Sequence, residues 1–366
     1  MVCEYFPGSS GREMRGGVEA RTYFVGRRLA RSHDVTVYAV RESGLEEEGE
    51  FEGMRVVRVE PEVEFSQSSS LARRLMFMRN AARLLRAGGF DLVDGCSFLG
   101  YPAAWRSGCA ARVATYHDVW LGEWARNIGW KGIFGEAIER YTLSRRWSRL
   151  IAVSEYTKNK LMAHGIKGDM VTVARNGIDV EEYTGVRAVK CDKPTVSCVA
   201  RLVKYKRVSD LLEAAAALKP DIPDLQLKVI GTGPERGSLE SKATSLGISD
   251  SVEFMGYVEK HADVLRTVKA SHALCLPSVV EGFGITVVEA MALGVPYVAA
   301  DIPAVREATR GGAGGLLYKP CDVGELARKL REVLDGGVRG GAGFIGEYDW
   351  SRTAEKVEGV YESVVG

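Results

Sequence analysis

Two glutamates, Glu281 and Glu289, lie eight positions apart in the segment EGFGITVVEAMALGVP, which ends at Pro296. Almost every residue between and after them is apolar or glycine. Carboxylates are rarely buried without a partner, so the pattern raises the question of what these two acids bind. A carboxylate accepts hydrogen bonds, and a sugar hydroxyl can donate them. The spacing therefore favours a site for a hydroxyl-bearing ligand, although exposed surface charges would show the same spacing.

The turn that follows Glu281 predicts a phosphate site. HALCLPS (272–278) has the pattern of a strand, and ITVVEAMALG that of a helix ending at Gly294, so EGFG precedes a helix N-terminus. Free backbone amides and the helix dipole favour an anion there, and Gly282 and Gly284 allow it to approach closely. A sugar at one glutamate, a ribose at the other and phosphate near the turn give the outline of a sugar nucleotide.

Two cations in VARLVKYKRV (199–208) fit the same ligand. Arg201 follows a predicted strand, and Lys206 lies in the next loop. Arginine can bind a diphosphate through two hydrogen bonds and lysine as a point charge, and both would stabilise a departing diphosphate. Lys204 and Arg207 are interpreted as ordinary surface cations.

Short β-branched runs alternate with helix-length segments, which predicts βαβ units and parallel sheets. The predicted strands are 33–40, 90–95, 112–118, 149–154, 170–177, 195–202, 225–233, 251–258, 272–278 and 296–301, and the clearest predicted helices are 17–32, 70–89 and 207–219. The polar segment 181–195 loses this periodicity. We therefore predict two doubly wound α/β domains, with ligands at the carboxyl ends of the strands in a cleft between them. Met1–Tyr5 would form a short first strand, unless the true start lies upstream.

Composition narrows the class of protein. The 366 residues are 46% hydrophobic and 27% charged, which is typical of a globular protein, and 49 Lys and Arg nearly balance 48 Asp and Glu. That balance argues against a nucleic-acid-binding protein. Seven cysteines without a C-x-x-C motif predict reduced thiols and a cytoplasmic location. No signal peptide or membrane-spanning segment is expected, and the lack of D-x-D motifs and Cys/His clusters predicts no essential metal.

The chain resembles the retaining GT-B glycosyltransferases of family 4. The matching segments are RGGVEA (15–20), TYHD (115–118), AVSEYTKNKL (152–161), NGID (176–179), VARLVKYKRVSDLLEA (199–214), VIGTGPE (229–235), LPSVVEGFGITVVEAMALGVPYVA (276–299) and GGLLYKP (314–320). The segment that contains the two glutamates is highly specific, whereas the others are strong only together. The resemblance implies two Rossmann-like domains facing each other across a cleft. It assigns the acceptor to 1–188 and the nucleotide sugar to 189–348, with a helix in 349–366 that crosses back to the N-terminal domain.

The resemblance also implies roles for single residues. Glu281 matches the glutamate on the donor sugar, Glu289 the one on the ribose, and His117 a catalytic-site histidine near the transferred sugar. Arg201 and Lys206 match the basic pair on the diphosphate. The other implied donor-binding residues are the loop glycines Gly16, Gly17, Gly231 and Gly233, the nucleobase neighbours Tyr257 and Val258, and the turn residues Phe283, Gly284 and Ile285. The family's usual Gly and Pro are replaced by Ala200 and Arg175, which removes no polar catalytic group. The histidines interpreted as structural or surface residues are His33, His164, His261 and His272.

The segment 70–89 carries five arginines and no acid, and its pattern predicts a basic amphipathic helix. The arginines are Arg73, Arg74, Arg79, Arg83 and Arg86, and the predicted apolar side comprises Leu71, Leu75, Met78, Leu84 and Leu85. Such a helix either packs on the sheet with a solvated basic face or lies on an anionic membrane.

Together these features predict transfer of a hexose from a UDP- or GDP-linked sugar to an acceptor hydroxyl, with retention of configuration and without a cofactor. The acceptor would be a lipid, a lipid-linked sugar or a growing glycan, and peripheral contact with the cytoplasmic membrane face is left open. An epimerase or hydrolase of sugar nucleotides on the same fold is the main alternative, and a non-catalytic sugar-nucleotide-binding protein is less favoured. The nucleobase, the sugar and the acceptor are not determined by the sequence.

Overall fold

The computed structural model describes residues 1–8, 14, 16–63 and 70–365. The chain divides into two compact units: unit 1 comprises Met1–Gly177 and Trp350–Gly366, and unit 2 comprises Ile178–Asp349. The sequence places the first boundary later, after residue 188. The difference arises because a short helix at Val180–Gly185 buries Tyr183 within unit 2, a contact that periodicity does not report.

The described residues form α-helices and β-strands in alternation. The strands are β1 (Thr36–Glu42), β2 (Glu48–Phe51), β3 (Met54–Val63), β4 (Leu92–Gly95), β5 (Ala111–Tyr116), β6 (Arg149–Ala152), β7 (Val171–Val173), β8 (Thr195–Val199), β9 (Gln226–Ile230), β10 (Val252–Gly256), β11 (Ala273–Leu276), β12 (Tyr297–Ala300) and β13 (Gly315–Tyr318). The helices are α1 (Gly17–Leu29), α2 (Leu71–Ala87), α3 (Gly100–Trp105), α4 (Trp124–Ile128), α5 (Gly132–Leu143), α6 (Glu155–Ala163), α7 (Val180–Gly185), α8 (Val208–Leu218), α9 (Arg236–Ser245), α10 (His261–Ala270), α11 (Ile285–Ala292), α12 (Pro303–Ala308), α13 (Val323–Leu334) and α14 (Trp350–Val365).

Unit 1 contains a parallel sheet in the order β4-β5-β6-β7 and a three-stranded sheet in the order β1-β3-β2. Val2 bridges the two, because it pairs with Tyr38 on β1 and with Gly95 on β4. Its backbone N–H donates to the Asp94 carbonyl at 2.8 Å, and the Cys3 N–H donates to the Tyr38 carbonyl at 3.0 Å. The first residues therefore occupy a central position between the sheets, as their apolar character suggests.

The hairpin of β2 and β3 is not among the predicted strands. These strands are antiparallel, with Phe51 opposite Met54, and Glu52 and Gly53 form the two-residue turn at φ values of 52° and 80°. Two consecutive left-handed residues are typical of the tight hairpin turns that match the twist of the strands. The glycine at the second turn position was the available signal, and the acid-rich sequence around it obscured the strand pattern.

The C-terminal helix α14 belongs to unit 1, where it packs on α1. The ring of Trp350 stacks on Phe24 with 5.3 Å between centroids. Further along α14, the Tyr361 hydroxyl donates to Asp94 Oδ2 at 2.6 Å, and the Thr115 hydroxyl donates to the same oxygen at 2.8 Å. An aromatic contact at one end and a buried hydrogen bond at the other hold this helix in place.

Helix α2 packs on unit 1 with only part of its apolar sequence. Its buried residues are Phe77, Met78, Ala81, Ala82 and Leu85. Of the predicted apolar side, Met78 and Leu85 are buried, whereas Leu71, Leu75 and Leu84 are 36%, 49% and 37% exposed. Leu71 and Leu75 stand in the first turns of the helix, before the stretch from Phe77 to Leu85 that contains its buried residues, and Leu84 faces away from the buried side.

Unit 2 contains a six-stranded, fully parallel sheet in the order β10-β9-β8-β11-β12-β13. This order confirms the doubly wound α/β prediction. The chain runs outward from β8 to β10 and then returns to start again at β11, so the strand order reverses between β8 and β11. In such sheets ligands bind at the carboxyl ends of the strands on either side of this switch point.

Three general properties of the described residues bear on function. None of their helices combines the length and apolar character needed to cross a bilayer. The same residues contain no group of three or more His, Cys, Asp or Glu side chains arranged to hold a metal ion. All seven cysteines lie in the described ranges and are free thiols.

Candidate functional site

The predicted residues of unit 2 lie on loops at the carboxyl ends of four adjacent strands. Tyr257 and Val258 follow β10, and Gly231 and Gly233 follow β9. Arg201 and Lys206 follow β8, and Glu281, Phe283, Gly284 and Ile285 follow β11, with Glu289 further along α11. Neighbouring strands are about 4.8 Å apart, so the four ends extend over roughly 14 Å along one edge of the sheet. The structure therefore assembles these residues into a strip that includes the switch point.

Lys206 and Glu281 form an ion pair at this edge. Lys206 Nζ lies 2.5 Å from Glu281 Oε1, and each side chain keeps only 14% of its surface exposed. The loops are joined by the Val279 N–H, which donates to the Tyr205 carbonyl at 2.9 Å and so brings the two side chains together. An ammonium has three donors and this pair uses one of them, so Lys206 retains capacity for a phosphate.

Arg201 is exposed and is held by Tyr205, a residue that the sequence analysis did not single out. The guanidinium Nη2 donates to the Tyr205 hydroxyl at 2.5 Å. The ammonium of Lys206 lies 5.7 Å from the centroid of the same ring. One aromatic side chain thus contacts both cations of the predicted diphosphate pair, and its position between two lysines in VKYKR was the available signal.

The N-terminus of α11 has no side-chain cap. Its N-cap residue is Gly284, in the left-handed region at φ 86°, and the helix begins at Ile285. Phe283 is 3% exposed and packs edge-on against Tyr348, with 5.6 Å between ring centroids. The buried ring and the glycine fix the course of the turn, which leaves the first helical amides able to bind an anion.

Gly231 and Gly233 are required by the packing of two loops. A Cβ on Gly231 would lie 2.0 Å from the Ala200 carbonyl oxygen, and one on Gly233 would lie 2.3 Å from that of Leu202. Gly231 also adopts a φ of 130°. Both glycines allow the loop after β9 to pack closely against the loop that carries Arg201. They therefore help to position Arg201, with or without a ligand contact of their own.

Glu289 is a partly buried acceptor, not an exposed surface charge. Its Oε1 accepts a hydrogen bond from the Tyr183 hydroxyl at 2.8 Å, and 14% of the side chain is exposed. Burial raises the pKa of the carboxyl, and His261 and the Tyr183 hydrogen bond partly offset this effect. The interpretation of His261 as an ordinary structural or surface residue is thus incomplete, because its Nε2 lies 2.8 Å from the Tyr183 hydroxyl.

In unit 1, His117 follows β5 and lies in a positive environment. Burial and the charge of Arg21 lower the pKa of the imidazole to about 3. Among the described residues its Nε2 has no hydrogen-bond partner, although the atom is buried. A neutral imidazole with an unoccupied nitrogen can exchange one hydrogen bond with a hydroxyl, but it supplies no positive charge at neutral pH.

Arg21 is a further buried residue that the sequence analysis did not identify. It lies on α1 with 3% of its surface exposed, and its Nη1 donates to Asn176 Oδ1 at 2.9 Å. Burial lowers the pKa of its guanidinium to about 10, and the nearby Asp94 opposes the shift. Asn176 belongs to the NGID segment, so this hydrogen bond is the structural reason for a polar side chain there.

Gly16 and Gly17 form the N-cap and first residue of α1. Gly16 has an extended backbone, with φ −173°, and a Cβ on either residue would have no heavy atom of the described residues within 4 Å. Neither the conformation nor the packing within the described residues explains why both positions are glycine. Open space at a helix N-terminus is consistent with the predicted close approach of a ligand.

Comparison with known proteins places the chain in a family. A family model described as Glycosyltransferase Family 4 matches residues 15–182, and one described as Glycosyl transferases group 1 matches residues 179–340. The GDP-mannose-dependent alpha-(1-6)-phosphatidylinositol monomannoside mannosyltransferase of Mycolicibacterium smegmatis is 27% identical over 95% of this chain and 96% of that protein.

Two further similarities agree with this result. The phosphatidyl-myo-inositol mannosyltransferase of Mycobacterium leprae is 32% identical, over 58% of this chain and 59% of that protein. The structure of the sucrose-phosphate synthase from Thermosynechococcus elongatus superposes with a TM-score of 0.77 at 18% identity, covering 100% of this chain and 95% of that one, which supports the fold. The chain therefore belongs to the GT-B glycosyltransferases of family 4, the glycosyl transferases group 1.

Proposed function

We propose that the protein transfers a hexose from a nucleoside diphosphate sugar to an acceptor hydroxyl with retention of anomeric configuration. The observation that carries this proposal is the strip of side chains along the carboxyl edge of the unit 2 sheet. This edge carries two carboxylates, Glu281 and Glu289, beside two cations, Arg201 and Lys206, and Lys206 pairs directly with Glu281. Carboxylates suit the hydroxyls of a sugar and a ribose, and the cations suit a diphosphate, which are the groups of a sugar nucleotide.

In this proposal, Tyr257 and Val258 flank the nucleobase and Glu289 accepts a hydrogen bond from the ribose. The diphosphate lies between the α11 N-terminus and the cations Arg201 and Lys206. Glu281 accepts hydrogen bonds from the hexose hydroxyls. The partial burial of the Lys206–Glu281 pair supports these roles, because charges act more strongly where water is partly excluded.

Unit 1 would bind the acceptor. Within the part of the chain that the structure describes, Gly16 and Gly17 have no neighbour where a Cβ would lie, and His117 offers a neutral nitrogen without a partner. A low pKa suits a group that orients a hydroxyl without adding charge.

The proposed chemistry needs no enzymic nucleophile. The acceptor oxygen forms a bond to the anomeric carbon on the face from which the bond to the phosphate oxygen breaks. The acceptor proton passes to that departing phosphate oxygen. Arg201, Lys206 and the α11 amides stabilise the charge that develops on the diphosphate, which is the largest contribution the protein can make to such a step.

The relatives guide the choice of the first substrates. Two of them are named as mannosyltransferases that act on phosphatidylinositol derivatives, and one of these is named as GDP-mannose-dependent. We therefore propose a GDP-linked hexose as the first donor to test, with UDP-linked hexoses next, and a lipid hydroxyl as the acceptor.

A lipid acceptor accords with the exposed surface of α2. Leu75 and Met76 are 49% and 50% exposed, and Arg73, Arg79 and Arg83 lie on the same exposed surface. Apolar side chains beside cations fit the interface of an anionic bilayer. Leu75→Glu should weaken cosedimentation with vesicles containing phosphatidylglycerol, whereas the matched change Met162→Glu, at another exposed apolar residue of unit 1, should not. Equal binding by both variants and the wild type would argue against contact through α2.

The catalytic proposal is tested by incubating the protein with GDP-mannose or a UDP-hexose, with and without phosphatidylinositol. Acceptor-dependent nucleotide release and an α-linked product are expected. Release without an acceptor would favour the hydrolase or epimerase alternative, and nucleotide binding without turnover would favour a binding protein. Arg201→Ala, Lys206→Ala and Glu281→Ala should each lower turnover at least tenfold, while Lys204→Ala, an exposed cation in the same turn, should not. Near wild-type turnover in all three would contradict the site.

A further inference from the structure

The carboxylate of Glu289 is connected to two other side chains from two different helices of unit 2. Tyr183 on α7 is 5% exposed, and its hydroxyl lies 2.8 Å from Glu289 Oε1 and 2.8 Å from His261 Nε2. His261 is the first residue of α10, and its Nε2 lies 3.8 Å from the same carboxylate oxygen. Both Glu289 Oε1 and His261 Nε2 contact the Tyr183 hydroxyl, which is the centre of the group.

The directions of these hydrogen bonds follow from counting protons. A tyrosine hydroxyl has one proton, and an ionised carboxylate can only accept. Tyr183 therefore donates to Glu289, and His261 Nε2–H donates to the Tyr183 oxygen. The chain of donors ends at Glu289 Oε1. Oε2 has no hydrogen-bond partner among the residues that the structure describes.

This arrangement fixes the orientation of Glu289. A glutamate side chain has several rotatable bonds, and a carboxylate that is held at one oxygen presents the other in a defined direction. We propose that Tyr183 and His261 are positioning residues, which hold Oε1 of Glu289 so that Oε2 accepts a hydrogen bond from a ribose hydroxyl of the nucleotide. The inference rests on the proposed function, because it assigns the ribose to Glu289.

The same contacts favour the ionised form of Glu289. Burial raises the pKa of the carboxyl, while His261 and Tyr183 lower it. The negative charges of Glu182 on α7 and of Asp179 at its N-cap raise the pKa of the Tyr183 hydroxyl. Charged residues on other elements packed against α11 are engaged elsewhere: Asp263 pairs with Arg266 and Lys269 donates to the Leu293 carbonyl on the α10 side, Arg306 pairs with Asp301, and Glu347 pairs with Arg310. Loss of the Tyr183 hydroxyl would therefore raise the pKa of Glu289 further, and the acid would be protonated over a wider pH range.

The test uses the full-length protein and measures dissociation constants of GDP and UDP by calorimetry. Tyr183→Phe removes the hydroxyl and retains the ring. Tyr297→Phe is the matched control, because it removes another buried hydroxyl of unit 2, one that donates to the Ala313 carbonyl. With the nucleotide that the wild type binds, Tyr183→Phe should bind about tenfold more weakly at pH 7, the effect of losing one charge-assisted hydrogen bond. The control should bind like the wild type.

Two further measurements separate positioning from general damage. The weakening in Tyr183→Phe should grow as pH falls from 8 to 5.5, because a neutral acid is a poorer acceptor. It should vanish for the 2′,3′-dideoxynucleoside diphosphate, which lacks the hydroxyls that Glu289 would accept. His261→Gln keeps an N–H donor near the Nε2 position without an imidazole, and it should bind more tightly than His261→Ala.

The outcomes separate a failure of the proposed function from a failure of the positioning role. If the wild type binds neither GDP nor UDP, the proposed function fails, and the inference fails with it. If the wild type binds but Tyr183→Phe has an unchanged dissociation constant, the positioning role is wrong and the function stands. The role is also wrong if the loss is equal for ribose and dideoxyribose ligands at every pH.

Discussion

The ion pair of Lys206 and Glu281 should contribute measurably to the stability of unit 2. The charged atoms are 2.5 Å apart and both side chains are 14% exposed, so either residue alone would leave a charge in a partly buried site. Breaking a buried pair costs about 3–5 kcal/mol and an exposed pair about 0–1 kcal/mol. Given the remaining exposure, we expect Lys206→Met or Glu281→Gln to lower the free energy of unfolding by about 2–3 kcal/mol. The double variant should lose about 1–2 kcal/mol less than the two losses combined.

Calorimetric unfolding of the four proteins measures this coupling. For a unit of this size about 1 kcal/mol corresponds to 2–4 °C, so each single variant should melt about 5–10 °C lower. Lys219→Met provides the control, because Lys219 pairs with Asp250 at 2.6 Å in the same unit but Asp250 is 77% exposed. That variant should lose at most about 1 kcal/mol. Additive losses in the double variant, or equal losses at Lys206 and Lys219, would refute the argument from burial.

The same variants separate stability from chemistry. If Lys206 acts on the diphosphate, the double variant should lose less stability than the two single losses combined and still turn over poorly, because the cation is absent. Turnover near that of the wild type in the double variant would mean that Lys206 and Glu281 matter only to the fold.

Three other predictions concern unit 1 and the metal requirement. The folded-state pKa of His117 is about 3, below its usual 6.5, so its contribution to stability is complete above pH 6.5 and is lost as pH falls toward 3. The free energy of unfolding in urea should therefore depend on pH more steeply in the wild type than in His117→Gln, by up to about 1.4 kcal/mol per pH unit. Tyr361→Phe removes a 2.6 Å hydrogen bond to the buried Asp94 and should cost about 1–3 kcal/mol in thermal unfolding, whereas Ser363→Ala, near the end of the same helix, should cost less than about 0.5 kcal/mol. Turnover should survive dialysis against EDTA, and restoration of lost activity by Mg²⁺ would contradict the proposed metal-independent chemistry.

The architecture of unit 2 was predictable because its strands are short apolar runs and its helices are amphipathic. A strand buried on both faces, such as β11, gives a continuous apolar pattern, and the pattern places Glu281 just beyond its end. Knowing which loops carry the charged residues was then sufficient to predict which of them lie along the carboxyl edge of the sheet. Strand ends were placed a few residues too late, as for 195–202 against Thr195–Val199, because apolar loop residues such as Leu202 continue the pattern.

The partners of the predicted residues could not be read from the sequence. Tyr183 precedes Glu289 by more than 100 positions, and His261 lies between them on another helix, so no local spacing connects the three. The same holds for Arg21 and Asn176, which meet only because α1 packs near the end of the segment that follows β7. A sequence pattern indicates which face of one helix or strand is buried, whereas these contacts depend on how several elements pack together.

The glycines show how the structure changes the weight of a sequence argument. All four loop glycines were predicted to approach the donor, but Gly231 and Gly233 are required by backbone atoms of Ala200 and Leu202. They would be needed for this loop packing even without a ligand, so their presence says little about binding. Gly16 and Gly17 have no such requirement from the residues that the structure describes. These two glycines at a helix N-terminus therefore favour a bound ligand more strongly. Gly17→Ala should weaken turnover without lowering the melting temperature, whereas Gly233→Ala should lower both.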